Sequence, residues 1–78
     1  MVKDSDKIYL KAFGANLKKV RKDKLLSYRQ LSHNCNIDYS DISKIEKGEI
    51  NITLTTTREL AAGLEVHPRD LLDFEIPE

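Results

Sequence analysis

The sequence has few of the residues that cross-link or interrupt a small protein: its 78 residues include one cysteine, two prolines, three glycines and no tryptophan. A single cysteine cannot form an internal disulfide, so a reducing, cytoplasmic location is expected. The scarcity of proline and glycine, with little alternation of β-branched residues, favours helices over strands. Repeats and low-complexity tracts are also missing, and the length suits one small domain.

Long apolar runs and an excess charge are missing as well. The longest apolar run is three residues, as in Ile8–Leu10, so no segment is expected to span a membrane. The acidic N-terminus lacks the apolar region of a signal peptide. The 13 Lys and Arg balance the 13 Asp and Glu, and a neutral total argues against a nucleic-acid partner.

The distribution of charge reverses that argument. Residues 1–48 carry 11 Lys and Arg against 6 Asp and Glu, whereas residues 49–78 carry 2 against 7. The basic part can face phosphates while the acidic part points away from them.

Apolar spacing predicts a first helix from roughly Asp6 to Lys24. Its apolar residues are spaced three, four and three apart, at Leu10, Phe13, Leu17 and Val20. Ser27 and Gln30 form a capping-box pattern that predicts the start of a second helix. Asn36 tolerates the left-handed conformation in which helices end, so the second helix is expected to stop there.

A third helix is predicted with Asp38 as its N-cap and Gly48 at its end. The second and third helices are joined by about four residues, which is the spacing of a helix-turn-helix. Thr53 is expected to cap a fourth helix, and His67-Pro68 to open a short fifth one. The residues of the fourth helix expected to face inward are Leu54, Leu60, Ala61 and Leu64. The sequence therefore predicts an all-α domain of five helices.

At this point the residues resemble a known family. Leu17–Lys22, Leu26-Ser27, Leu60-Ala61 and, above all, Ile-Ser-Lys-Ile-Glu-Lys-Gly at 42–48 resemble the Cro/cI-type (Xre family) helix-turn-helix. The resemblance covers residues 10–72 and implies a compact five-helix bundle of the lambda-repressor-like type. Residues 1–9 are then an N-terminal extension or the start of the first helix, and residues 73–78 a tail. Asn36-Ile37-Asp38 and Gly63–Val66 are similar to restriction–modification controller proteins.

The resemblance also implies a function and the residues that perform it. The function is that of a sequence-specific regulator, such as a repressor, that binds a palindromic operator in double-stranded DNA as a homodimer. Its recognition helix, about 38–47, would lie in the major groove. The positions that match base contacts are Tyr39, Ser40, Ser43 and Lys44. The positions expected at phosphates are Ser27, Tyr28, Asn51, Lys47 and Lys19. Arg21 and Glu46 match a buried ion pair.

Several positions depart from the family pattern. Tyr28 replaces the usual Gln, and Ser32 and Asn36 replace the usual Ala and Gly. Thr57 replaces a Leu of the fourth helix, which is expected to weaken the core there. Asp41 places a carboxylate near the groove, where it must accept a hydrogen bond from a cytosine amino group or be repelled by phosphates.

Other interpretations of these residues remain open. Tyr28 and Tyr39 can cover the edge of the core, stack on each other or contact DNA, and Lys44 can simply be solvated. The tail residues Leu72, Phe74 and Ile76 can complete the core or form a dimer surface.

Catalysis, metal binding and cofactors find little support in the sequence. Cys35 suits a buried apolar position better than a redox sensor, and His33 and His67 lack partners at metal-ligand spacing. Catalytic motifs and phosphate-binding glycine loops are missing, so neither an enzyme nor a cofactor is expected, and no small-molecule effector is indicated. The alternative function is a protein-interaction module of the antitoxin or anti-repressor kind.

Overall fold

Five helices make up most of residues 3–76, the part of the chain that the computed structural model describes. Residues 3–76 contain no strand, and the all-α, five-helix prediction is confirmed. The first helix begins two residues earlier than predicted, and Asp4 and Asp6 in its first turn suit the positive end of the helix dipole. Residues 4–9 therefore belong to the first helix. In chain order the helices are α1 (Asp4–Asp23), α2 (Tyr28–Cys35), α3 (Tyr39–Glu46), α4 (Leu54–Leu64) and α5 (Pro68–Leu71).

One apolar core lies where these helices meet. α2 packs against α3 and α4, α1 packs against α3, and α5 rests on α4 and α1. Burying one leucine or isoleucine side chain contributes about 1.5–3 kcal/mol, so these few residues supply much of the driving force for folding. The buried apolar residues are Phe13, Leu17, Leu31, Cys35, Ile42, Ile45, Leu60, Ala61, Leu64 and Leu71.

The chain turns between helices through left-handed residues. Asn36 ends α2 with φ 59°, as predicted, and Gly48 follows α3 with φ 73°. Leu25 and Glu65 adopt the same conformation after α1 and α4, each with φ 59°. The sequence pattern did not indicate these last two, because neither residue type favours this region.

One prediction about a helix start is wrong, and another is confirmed in position but without a capping hydrogen bond. Leu54 was expected to face inward, but it is 85% exposed, because it is the first residue of α4 and burial begins one turn later at Thr57. Thr57 fills its buried position and donates its hydroxyl hydrogen to the Thr53 carbonyl at 3.2 Å. Asp38 occupies the N-cap position of α3 but caps no backbone amide; its carboxylate accepts from the Ser40 hydroxyl at 3.4 Å.

The C-terminal segment is held against α1. Asn16 donates from its side-chain amide to the carbonyls of Asp70 and Leu71, at 2.9 and 3.0 Å. The Phe74 ring packs against Tyr9 and Phe13, with ring centroids 5.4 and 6.4 Å apart. Phe74 therefore extends the core, whereas the other two apolar tail residues, Leu72 and Ile76, remain exposed. Among the described helices, none combines the length and apolar character needed to cross a membrane.

Candidate nucleic-acid interface

Helices α2 and α3 form a helix-turn-helix unit. α2 begins with the predicted capping box, in which the backbone N–H of Gln30 donates to the Ser27 hydroxyl oxygen at 3.1 Å. The Ser27 amide in turn donates to the Gln30 side-chain oxygen at 2.8 Å. The connection to α3 is only Asn36–Asp38, so the start of α3 is fixed closely relative to the end of α2.

One face of α3 is buried and the opposite face is open. Ile42 and Ile45 lie in the core. The four positions that match base contacts lie outside the core: Tyr39 is 41% exposed, Ser40 and Lys44 are exposed, and Ser43 is half-buried. Asp41 is also exposed. The side chains on this open face can therefore reach a ligand without any rearrangement of the core.

Arg21 and Glu46 form an ion pair that ties α1 to the end of α3. Arg21 Nε and Nη2 donate to the two Glu46 carboxylate oxygens at 2.6 and 3.1 Å, and the two side chains are only 7% and 2% exposed. Nη1 donates to the Leu26 carbonyl at 2.7 Å, just before α2. The hydrogen bonds from Arg21 to Glu46 raise the arginine pKa, so the guanidinium stays charged.

Each tyrosine of the unit lies beneath an arginine. The Arg21 guanidinium is 4.3 Å from the Tyr28 ring centroid, and the Arg29 guanidinium is 4.8 Å from the Tyr39 ring centroid. Stacking of Tyr28 on Tyr39, one of the open expectations, is thus replaced by two cation–π contacts. Sequence reasoning missed Arg29, although it is the only Lys or Arg between Lys24 and Lys44.

The residues expected at phosphates lie at both ends of the unit and on α1. Ser27 and Tyr28 stand at the start of α2, and Lys47 and Asn51 follow α3. All of the predicted phosphate-contacting residues are exposed except Tyr28, which is half-buried; Lys19 lies on the exposed side of α1. The Ser27 hydroxyl accepts a backbone hydrogen bond and can still donate its own hydrogen.

Asn51 and Asp41 both line a recess of about 540 Å³ beside the start of α3, together with Asp38. Asp41 therefore borders the same recess as a residue that is expected to contact a phosphate.

The remaining candidates from the sequence lie apart from this surface. Cys35 is buried in the core, and burial raises the pKa of its thiol, as expected for an apolar packing role. Residues 3–76 hold no cluster of His, Cys, Asp or Glu suited to a metal ion.

This fold and this surface define a helix-turn-helix protein: two short helices, with the second anchored by its inner face and by an ion pair from α1. A family model described as "Helix-turn-helix" matches residues 17–71. The chain belongs to this family, the Xre-type helix-turn-helix transcription regulators, which are DNA-binding proteins and not enzymes. The resemblance to the Cro/cI type is confirmed.

Individual relatives agree with this assignment. Control protein C.BamHI of Bacillus amyloliquefaciens is 35% identical over 63 residues, which cover 80% of this chain and 78% of the relative. The restriction–modification controller protein C.AhdI of Aeromonas hydrophila is 33% identical with a TM-score of 0.76, over 81% of this chain and 94% of that one. The hypothetical transcription factor NHTF from Neisseria is 29% identical with a TM-score of 0.77, over 95% and 84%. The similarity to controller proteins is thus confirmed.

Proposed function

We propose that the chain is a sequence-specific regulator, acting in the cytoplasm, that binds a palindromic operator in double-stranded DNA as a homodimer. The observation that carries the proposal is the architecture of α3. Its inner face and the Arg21–Glu46 ion pair hold the helix rigidly, while its outer face presents polar and aromatic side chains. Because C.BamHI and C.AhdI are controller proteins, we extend the role of a controller-type regulator to this chain.

In this role the open face of α3 reads base edges in the major groove. Lys44 donates to guanine O6 and N7, and the hydroxyls of Ser40 and Ser43 serve either as donors or as acceptors. The Tyr39 ring meets a thymine methyl group. The Arg29 guanidinium lies over that ring, so it would place a positive charge at the edge of the groove.

Phosphate contacts at both ends of the unit set the register of α3 on the duplex. Ser27 and Tyr28 contact DNA phosphates from the start of α2, and Lys47 and Asn51 contact them from beyond the end of α3. Lys19 adds a contact from α1. These contacts position the protein but do not distinguish sequences, so they are expected to contribute equally on all duplexes.

Exposed apolar side chains support a homodimer. Ile8 and Tyr9 on α1 and the tail residues Leu72 and Ile76 are exposed, and the contact of Tyr9 with Phe74 joins these two segments into one surface. A single unit reads one half-site, so a dimer that binds a palindromic operator must hold its two recognition helices about 34–36 Å apart, or a multiple of that distance.

In vitro selection from a random duplex library, followed by affinity measurements at several salt concentrations, tests the proposal. We expect a palindromic consensus with half-sites about 10 bp apart, or a multiple, and a steep loss of affinity as salt increases. Light scattering is expected to show two chains per duplex. The absence of salt-dependent duplex binding would contradict DNA recognition and favour the protein-interaction alternative. A monomer in both the free and the bound state would contradict only the dimer.

A further inference from the structure

A second cluster of positive charge lies outside the helix-turn-helix. Lys7 and Lys11 of α1 line an open recess of about 520 Å³ together with Lys47, Gly48 and Glu49, which directly follow α3. Lys7 and Lys11 are four residues apart, so they share one face of α1. All three lysines are exposed. Two distant segments thus contribute cations to one place on the surface.

A close backbone contact creates this recess. Gly48 has φ 73°, and a Cβ atom at this position would lie 2.7 Å from Cα and Cγ of Lys11. Only a glycine therefore allows the segment after α3 to approach α1 so closely. The proximity of Lys47 to the α1 lysines follows from this fixed backbone geometry and does not depend on a chance arrangement of flexible side chains.

The recess has an excess of positive charge. Glu49 is the one acidic residue that lines it, against three lysines, and no ion pair with a carboxylate of residues 3–76 neutralises these lysines. The amides of Gly48 and Glu49 already donate to the Ile45 and Lys44 carbonyls, both at 3.0 Å. An anion in the recess would therefore be held by the ammonium groups alone.

We propose that Lys7, Lys11 and Lys47 bind a backbone phosphate of the DNA, beside the end of the recognition helix. The proposal rests on the proposed function, since Lys47 directly follows α3 and must lie near the duplex if α3 enters the groove. The recess is open, and no aromatic ring or available backbone amide lines it to select a base or a small anion. Lysines act as mobile point charges, which suits phosphate binding without sequence preference. The DNA footprint then extends onto the N-terminal half of α1.

The double substitution Lys7→Gln and Lys11→Gln tests this assignment. Glutamine keeps the Cγ methylene of Lys11 that lies beside Gly48, and both positions are exposed, so the melting temperature should remain close to that of the unmodified protein. Affinities for the selected duplex and a random duplex are measured from low to high salt. We expect equal losses on both duplexes and a salt slope reduced by about 0.9 or more, the value for one neutralised phosphate.

Two further variants serve as controls. Arg58→Gln with Arg69→Gln removes the same net charge from α4 and α5 and is expected to leave the slope unchanged. Glu49→Gln removes the carboxylate from the recess and is expected to strengthen binding to both duplexes. Inorganic phosphate, added at constant ionic strength, is expected to have no effect of its own.

The outcomes separate this inference from the proposed function. One outcome is that the unmodified protein shows salt-dependent binding while the α1 double variant keeps the same slope. That result would contradict phosphate binding in the recess and leave the proposed function intact. An equal effect of the Arg58 and Arg69 changes would show a general charge effect and also overturn it. Millimolar phosphate that reduces the slope to that of the α1 variant would identify a small-anion site instead. A lack of salt-dependent binding by the unmodified protein would contradict the function itself.

Discussion

At the scale of single residues, Leu25 combines two unfavourable properties. It lies in the left-handed region with φ 59°, and its side chain is 87% exposed. A side chain with a Cβ atom pays about 1–2 kcal/mol for this conformation, and an exposed leucine gains no burial in return. The turn between α1 and α2 therefore carries backbone strain that one substitution at Leu25 can relieve.

Leu25→Gly is expected to stabilise the protein. The free energy gained by relieving the backbone strain exceeds the free-energy cost of ordering a more flexible glycine on folding. The net gain in stability is up to about 1 kcal/mol. For a domain of this size such a gain raises the melting temperature by about 4–8 °C. Thermal unfolding followed by circular dichroism measures the change.

The matched control is Leu54→Gly, which removes another leucine that is 85% exposed but begins a helix. It is expected to lower the free energy of unfolding by up to about 1 kcal/mol, because glycine disfavours helix. A loss of stability in both variants would contradict the strain assigned to Leu25.

At the scale of elements, the crossing of α1 and α3 controls the position of α3, the proposed recognition helix. A Cβ atom on Gly14 would clash with the Glu46 carbonyl oxygen and would lie 2.5 Å from that of Ile45. The α1 backbone at Gly14 therefore lies directly against the last turn of α3. The same turn carries Glu46, which pairs with Arg21 of α1. A larger residue at this position must move the end of α3 away from α1.

Gly14→Ala is expected to destabilise the domain by about 1–3 kcal/mol, as overpacking of a close contact does. It should also weaken specific DNA binding at temperatures where the protein is fully folded, because α3 is displaced. Ala15→Gly, on the exposed side of the same helix, is the control; it loses about 1 kcal/mol of helix stability but should keep its affinity. Unfolding curves and titrations of the selected duplex measure both quantities, and an unchanged affinity in Gly14→Ala would refute this role of the crossing.

The elements also show which features a sequence can and cannot predict. The capping box at Ser27 and the turn at Asn36 were predicted because their signals involve only neighbouring residues. The left-handed Leu25 and the contact of Arg29 with Tyr39 depend on how separate segments pack, and the exposure of Leu54 depends on where α4 begins. The periodic pattern contains neither kind of information. Gly14 inside a helical pattern was a usable signal of close approach, but only the structure shows that α3 is its neighbour.

At the scale of the whole molecule, the neutral net charge conceals a division. Residues 1–48 contain the helix-turn-helix unit and the α1 lysines and are basic, whereas residues 49–78 are acidic. The basic part attracts the duplex and the acidic part repels it, which favours one orientation during encounter. Because the total is zero, affinity for random duplexes should be modest, so under the proposed function specific binding would depend on the base contacts of α3.

Lys44→Ala therefore gives the most direct test that α3 reads the DNA sequence. Affinities for the selected duplex and a random duplex are measured at one salt concentration and compared with those of Lys19→Ala, which removes a lysine assigned to phosphate. We expect Lys44→Ala to lose about 1–3 kcal/mol on the selected duplex and little on the random one, and to relax the preference at one base pair of each half-site. Lys19→Ala should weaken both duplexes alike. Equal losses on the two duplexes for Lys44→Ala would contradict sequence recognition by α3.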